Sequence, residues 1–129
     1  MGTPSELSAS TGGSQTLALD ARLEHAGRPY LFLGSLSGSL PGAPVDGQVL
    51  PLNFDGYTAL GLLAPNVPPL ASSLGVLDAQ GRGLAGFTLF PGYPPSVVGL
   101  ALHHAYVVLD PATAEVRLAS NAARLDVVP

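Results

Sequence analysis

The chain has no cysteine, no tryptophan and no lysine. Without cysteine there is no disulfide staple, no thiol nucleophile and no thiolate metal site. Five arginines stand against nine acidic residues, for a formal charge of −4. No basic patch is visible, and nucleic acid or an anionic membrane surface would require one. Charge of either sign is scarce, at 11% of residues, where about 25% is usual. Residues 56–77 carry no charge, and in 83–109 the two histidines are the only acidic or basic side chains. Prolines and glycines interrupt both stretches, so neither is a membrane span. A soluble domain this poor in charge is expected to show apolar surface and to pack against a neighbour.

Hydrophobic residues are plentiful, at 47% of 129 residues, enough for one domain with one core. Residues 1–4 read as an added start or a linker, and 5–129 as a single β-sandwich domain. No signal peptide is legible, so a leader or preceding domains would lie upstream of this start. Sixteen glycines and 13 prolines punctuate short apolar segments that alternate with period two. The pattern predicts strands at 7–9, 15–20, 48–52, 74–77, 84–90, 100–109, 115–119 and 125–128. The continuous apolar run 30–33 predicts a strand buried on both faces. Residues 35–47 read as a Ser/Gly/Pro loop, and Pro51 confines 48–52 to an edge. One short helix fits 55–64, stopped by Asn66-Val-Pro-Pro69. Asp78-Ala-Gln-Gly81 reads as a turn with positive φ at its glycine. Seven to nine short strands predict an all-β fold, an antiparallel β-sandwich. The end segments look immunoglobulin-like, with a jelly roll as the alternative.

His103 and His104 stand side by side in an apolar run. Neighbouring strand residues point to opposite faces, so one imidazole is expected to face the core and the other outward. A shared metal would need a β-bulge between them and a third ligand, from His25, Asp55, Asp78 or Asp110. That arrangement would make a small copper or zinc enzyme acting on polysaccharide. The plainer reading is two ordinary strand histidines with no cofactor.

Gly81-Arg-Gly-Leu-Ala-Gly86 matches the dinucleotide fingerprint in letters, but a strand rather than a helix follows it, so it reads as a hairpin turn. No serine lies in a nucleophile elbow, Gly34-Ser-Leu-Ser-Gly38 having the wrong spacing. Most acidic residues sit in turns, where an aspartate bonds its own backbone. The candidate contact residues are Phe54 and Tyr57 in one loop and Phe90 and Tyr93 in another. The competing reading is that they lid the ends of the sandwich.

Several stretches carry a resemblance together. Tyr30-Leu-Phe-Leu-Gly-Ser35, Leu50-Pro-Leu-Asn53 with Asp55 and Tyr57-Thr58, Ser73-Leu-Gly-Val-Leu-Asp-Ala-Gln-Gly81, Leu102-His-His-Ala-Tyr-Val-Val-Leu-Asp110 and Ser120-Asn121 occur in that order. The chain resembles a C-terminal module of large secreted proteins of planctomycete-type bacteria. The resemblance implies a secreted or cell-surface setting beside other domains, and it transfers no catalytic residue. The leading expectation is a non-catalytic accessory module that binds a ligand, a carbohydrate or a cell-surface component. The second expectation is a self-associating subunit of a surface layer or fibre.

Overall fold

The computed structural model describes residues 2–129, with side chains from residue 4 onward. Its strands are β1 (Gly2–Thr3), β2 (Glu6–Ser8), β3 (Gly13–Asp20), β4 (Pro29–Ser35), β5 (Ala43–Val45), β6 (Gln48–Leu50), β7 (Leu70–Ala71), β8 (Leu74–Val76), β9 (Arg82–Leu89), β10 (Ala101–Leu109), β11 (Val116–Ala119) and β12 (Ala123–Val128). The helix α1 spans Gly56–Leu63. The fold is an all-β sandwich. One sheet has the order β1-β3-β9-β7, and the other has β2-β12-β10-β4-β8 with β11 also paired to β10. Pairing is antiparallel except where β2 runs parallel to β12. Of the residues read as a start or linker, Met1 lies outside the described residues, and Gly2–Thr3 pair with Leu17 and Thr16 of β3.

Alternation explains which side chains enter the core. In β3, Gln15, Leu17 and Leu19 are buried while their neighbours are exposed. In β10, Leu102, His104, Tyr106 and Val108 face the space between the sheets, together with Phe32 of β4 and Phe87 of β9. Phe32 has no exposed surface, and burying such a ring contributes about 2–3 kcal/mol.

β4 is buried on both faces for a definite reason. Its outer residues Leu31 and Leu33, with Ala105 and Val107 of β10, form a second core under the β5–β6 hairpin. That hairpin corrects the reading of 35–47 as loop throughout. Asp46-Gly47 turns it, with both residues at positive φ (48° and 79°), as a two-residue type I′ loop requires. Pro44 sits opposite Val49 in this isolated two-stranded ribbon, where its missing N–H is tolerated.

The sandwich has two distinct ends. Asp20 of β3 and Arg82 of β9 pair at one end, and Gly13 and Leu89 pair at the other. β4 runs from the first end to the second, and α1 packs beside its last residues.

Candidate functional site

The second end is built around Asp55. Its carboxylate caps α1, Oδ1 accepting from the backbone N–H groups of Tyr57 (3.0 Å) and Thr58 (3.1 Å). Oδ2 accepts from the N–H groups of Leu36 (2.8 Å) and Ser37 (2.9 Å) and from the Ser37 hydroxyl (2.8 Å). Burial pushes this carboxyl upward, but the hydrogen bonds from Ser37, Thr58, Leu36 and Ser35 outweigh it and hold the group well below the usual carboxylate range. The Thr58 hydroxyl donates to the Gly34 carbonyl at 2.8 Å. The start of the helix is thereby tied to the end of β4.

This anchoring directs Tyr57, the second residue of α1, into the sandwich. Its hydroxyl lies 2.8 Å from Nε2 of His104. The His104 ring is fully buried. It stacks on Phe32, with centroids 5.1 Å apart and planes at 13°, and meets Tyr57 edge-on at 5.7 Å. Gly34 is required beneath this pair, because a Cβ there would overlap the Tyr57 ring and crowd His104. Burial, and secondarily the neighbouring His103, pushes the His104 imidazole down to about 3. Burial and the Asp55 charge raise the Tyr57 phenol. Among the described residues Nδ1 of His104 has no hydrogen-bond partner. Either the tyrosine O–H donates to Nε2 and leaves an Nδ1–H unpaired, or Nε2–H donates and the phenol proton needs another acceptor.

His103 takes the other face of β10. The register runs without a break through both histidines, His103 opposite Ser35 and Arg124, His104 opposite Gly34 and Ala123. The irregularity in β10 lies later, between Val108 and Leu109. The two rings therefore do not share a pocket. The other metal candidates are engaged separately: His25 Nδ1 with Arg28 (3.2 Å), Asp55 as above, and Asp78 and Asp110 with the backbone of their own turns. Among the described residues no group of three His, Cys, Asp or Glu side chains is placed to hold a metal ion.

The aromatic candidates divide. Tyr57 and Tyr93 line one cavity of about 300 Å³, with Leu36, Leu60, Phe87 and Leu100 among its other walls. Tyr57 meets Phe87 edge-on at 6.3 Å, and Tyr93 stands on the exposed rim. Phe54 lies elsewhere, with Leu62 over the second core, in a separate apolar depression of about 460 Å³. Phe90 is half-exposed just beyond β9. Sequence reasoning missed Leu36, Leu60 and Leu100, which are ordinary apolar letters until the fold gathers them. It also missed the pairing of Tyr57 with His104, which are 47 positions apart. The Gly81–Gly86 match is a turn and strand: Asp78 Oδ1 accepts from the N–H groups of Gln80 and Arg82, and β9 follows.

Chemically the cavity can accept an apolar group beside a buried Tyr–His pair. His104 is held by a phenol and, among the described residues, bonds to no serine or carboxylate. No family model matches the chain, and no curated protein matches it.

Proposed function

We propose that this chain is a non-catalytic binding module of a secreted or cell-surface protein. The cavity at the α1 end would seat an apolar group of its ligand or of a neighbouring domain. One observation carries the reading: Tyr57 of α1 and Tyr93 of the loop after β9, far apart in sequence, converge on a single apolar cavity. Such concave, mostly apolar sites are the usual form of ligand pockets. The extracellular setting rests on the resemblance of the segments between Tyr30 and Asn121. The test is titration with the fluorescent apolar probe ANS, followed by tyrosine emission and amide NMR. The probe is expected to shift the amides of 57–60 and 93–102, and Tyr93→Ser and Leu60→Ser are each expected to weaken it. Unchanged binding in both variants would overturn the assignment.

A second reading, self-association, is favoured by the surface of α1. Leu60, Leu62 and Leu63 are exposed on a helix that carries no charge, Leu63 to 85%. Sedimentation velocity decides it. Concentration-dependent dimers abolished by Leu63→Glu would support assembly through α1, and a monomer at the highest attainable concentration would dismiss it.

A further inference from the structure

We propose that the opposite end of the sandwich carries a second site, a groove for a neutral oligosaccharide, centred on Asp20, Arg22, Glu24 and Asn121. A cleft of about 370 Å³ opens there, between the turn after β3 and the loop joining β11 to β12. Two further depressions, of about 540 and 620 Å³, share Asp20 with it and extend past Arg82. The three depressions therefore adjoin at Asp20.

The chemistry of the lining selects the ligand. The floor is apolar, made by Ala18, Ala21, Tyr106 and Leu118. The rim is polar and planar: carboxylates, guanidinium groups and a carboxamide. A pyranose has the matching shape, with an apolar C–H face and a circumference of hydroxyls. Carboxylates accept from vicinal hydroxyls, while guanidinium and amide groups donate to them in the same plane. Around the groove Asp20, Glu24 and Asp78 stand against Arg22 and Arg82, an excess of one negative charge that disfavours an anionic ligand, while the two guanidinium groups keep the rim from being a cation site. Exposed tryptophan platforms are absent from this chain, so hydrogen bonding rather than stacking would carry recognition, and affinity would be modest.

Two observations separate this groove from an ordinary polar surface. The side chains of Arg22, Glu24 and Asn121 make no hydrogen bond or ion pair among the described residues, although they border a cleft. Arg22 also holds φ 71° and ψ 167°, a region that side-chain-bearing residues rarely enter and that gathers at functional sites. Its carbonyl packs against Gly81 so closely that a Cβ there would overlap it. The surrounding fold therefore enforces a strained backbone at the centre of the groove.

The test is amide NMR with maltohexaose, cellohexaose and mannohexaose added in parallel to the full chain. At least one is expected to shift amides of 20–25 and 118–121 with millimolar affinity. Glu24→Gln and Asn121→Ala, both exposed and remote from the core, are each expected to weaken binding about tenfold, the loss of roughly one good hydrogen bond. Leu60→Ser, at the other end, is expected to leave saccharide binding unchanged. The proposal is overturned if none of the three sugars shifts these amides, or if the shifts survive both rim substitutions. A site at the α1 cavity would be revealed instead by shifts at 57–60 that Leu60→Ser removes. The two readings therefore fail independently.

Discussion

The two ends of the sandwich use their polar groups in opposite ways. At the α1 end they are turned inward. Asp55 accepts from two helix N–H groups and from the backbone of 36–37, Thr58 holds Gly34, and Tyr57 holds His104. What remains facing outward is hydrocarbon, from Leu36, Leu60 and Leu100. At the Asp20 end the frame is made by backbone and by the Asp78 turn. Asp20 accepts from the Arg22 N–H and pairs with Arg82, while the side chains of Arg22, Glu24 and Asn121 make no hydrogen bond or ion pair among the described residues. A network satisfied within the fold gives rigidity and a unique core. The unpaired side chains of Arg22, Glu24 and Asn121 are what the proposed saccharide site would use for recognition. The same chain thus separates its stability-bearing polar groups from those free to meet a ligand.

The comparison breaks most visibly under acid. His104 sits near 3 when folded, against an ordinary 6.5. Above pH 6.5 neither state carries the proton, and this group adds no pH dependence. Between 6.5 and 3 the unfolded chain binds a proton that the folded chain refuses. Stability therefore falls as pH falls, by up to about 1.4 kcal/mol per pH unit. Asp55 joins only lower down: its folded value is depressed, so its contribution is fully present above about 3.8 and is lost progressively as pH falls below that toward the folded value. Urea denaturation at several pH values is expected to show the His104 slope between 6.5 and 4, and His104→Phe is expected to flatten it. A slope that persists in the variant would place the acid sensitivity elsewhere.

Next in size is Gly34→Ala, which adds a methyl where the Tyr57 and His104 rings already meet. Overpacking of this kind costs about 3 kcal/mol, measurable as a fall in Tm. A smaller loss would show that α1 can lift away from β4. Tyr57→Phe keeps the ring and removes the hydroxyl, leaving both imidazole nitrogens of His104 without a partner. The expected cost is about 1–3 kcal/mol, read from the urea midpoint. If this variant matched the parent, a second acceptor would have to reach His104, and the inward commitment of the α1 end would be weaker than its geometry suggests.

Much of the frame was legible before the structure, and the reason is periodicity. The alternation in 15–20 and 100–109 places β3 and β10, and the unbroken apolar run 30–33 marks a strand between two cores. The adjacent histidines were correctly assigned to opposite faces by the same rule. The strand at 48–52 was expected and contains β6, but β5 was misread as loop because Ser, Gly and Pro surround it, although Asp46-Gly47 between apolar residues is a strong local hairpin signal. The four aromatics were chosen by residue type and loop position, and only Tyr57 and Tyr93 come together. Phe90 sits one residue after β9 and Phe54 two residues before α1, outside the elements that would have aimed them there. The Asp20 groove was not legible at all, since its walls come from 18–25, 78–84, Tyr106 and 118–121. Convergence of distant segments has no local pattern in a sequence.

The smallest expected effect sharpens the contrast from the other end. If the fold imposes strain at Arg22, then Arg22→Gly relieves it, because glycine enters that region of φ and ψ freely. Such strain is of order 1–3 kcal/mol, and the added freedom of glycine in the unfolded chain offsets roughly 0.5–1 kcal/mol. A net gain of about 1 kcal/mol is expected, seen as a higher Tm, although a side chain has been removed. Saccharide binding is expected to weaken in the same variant. A gain in stability paired with a loss in binding marks strain kept at a working site. A loss in both would instead mean that the Arg22 side chain stabilises the Asp20 end, as Tyr57 stabilises the α1 end, and the division between the two ends would disappear.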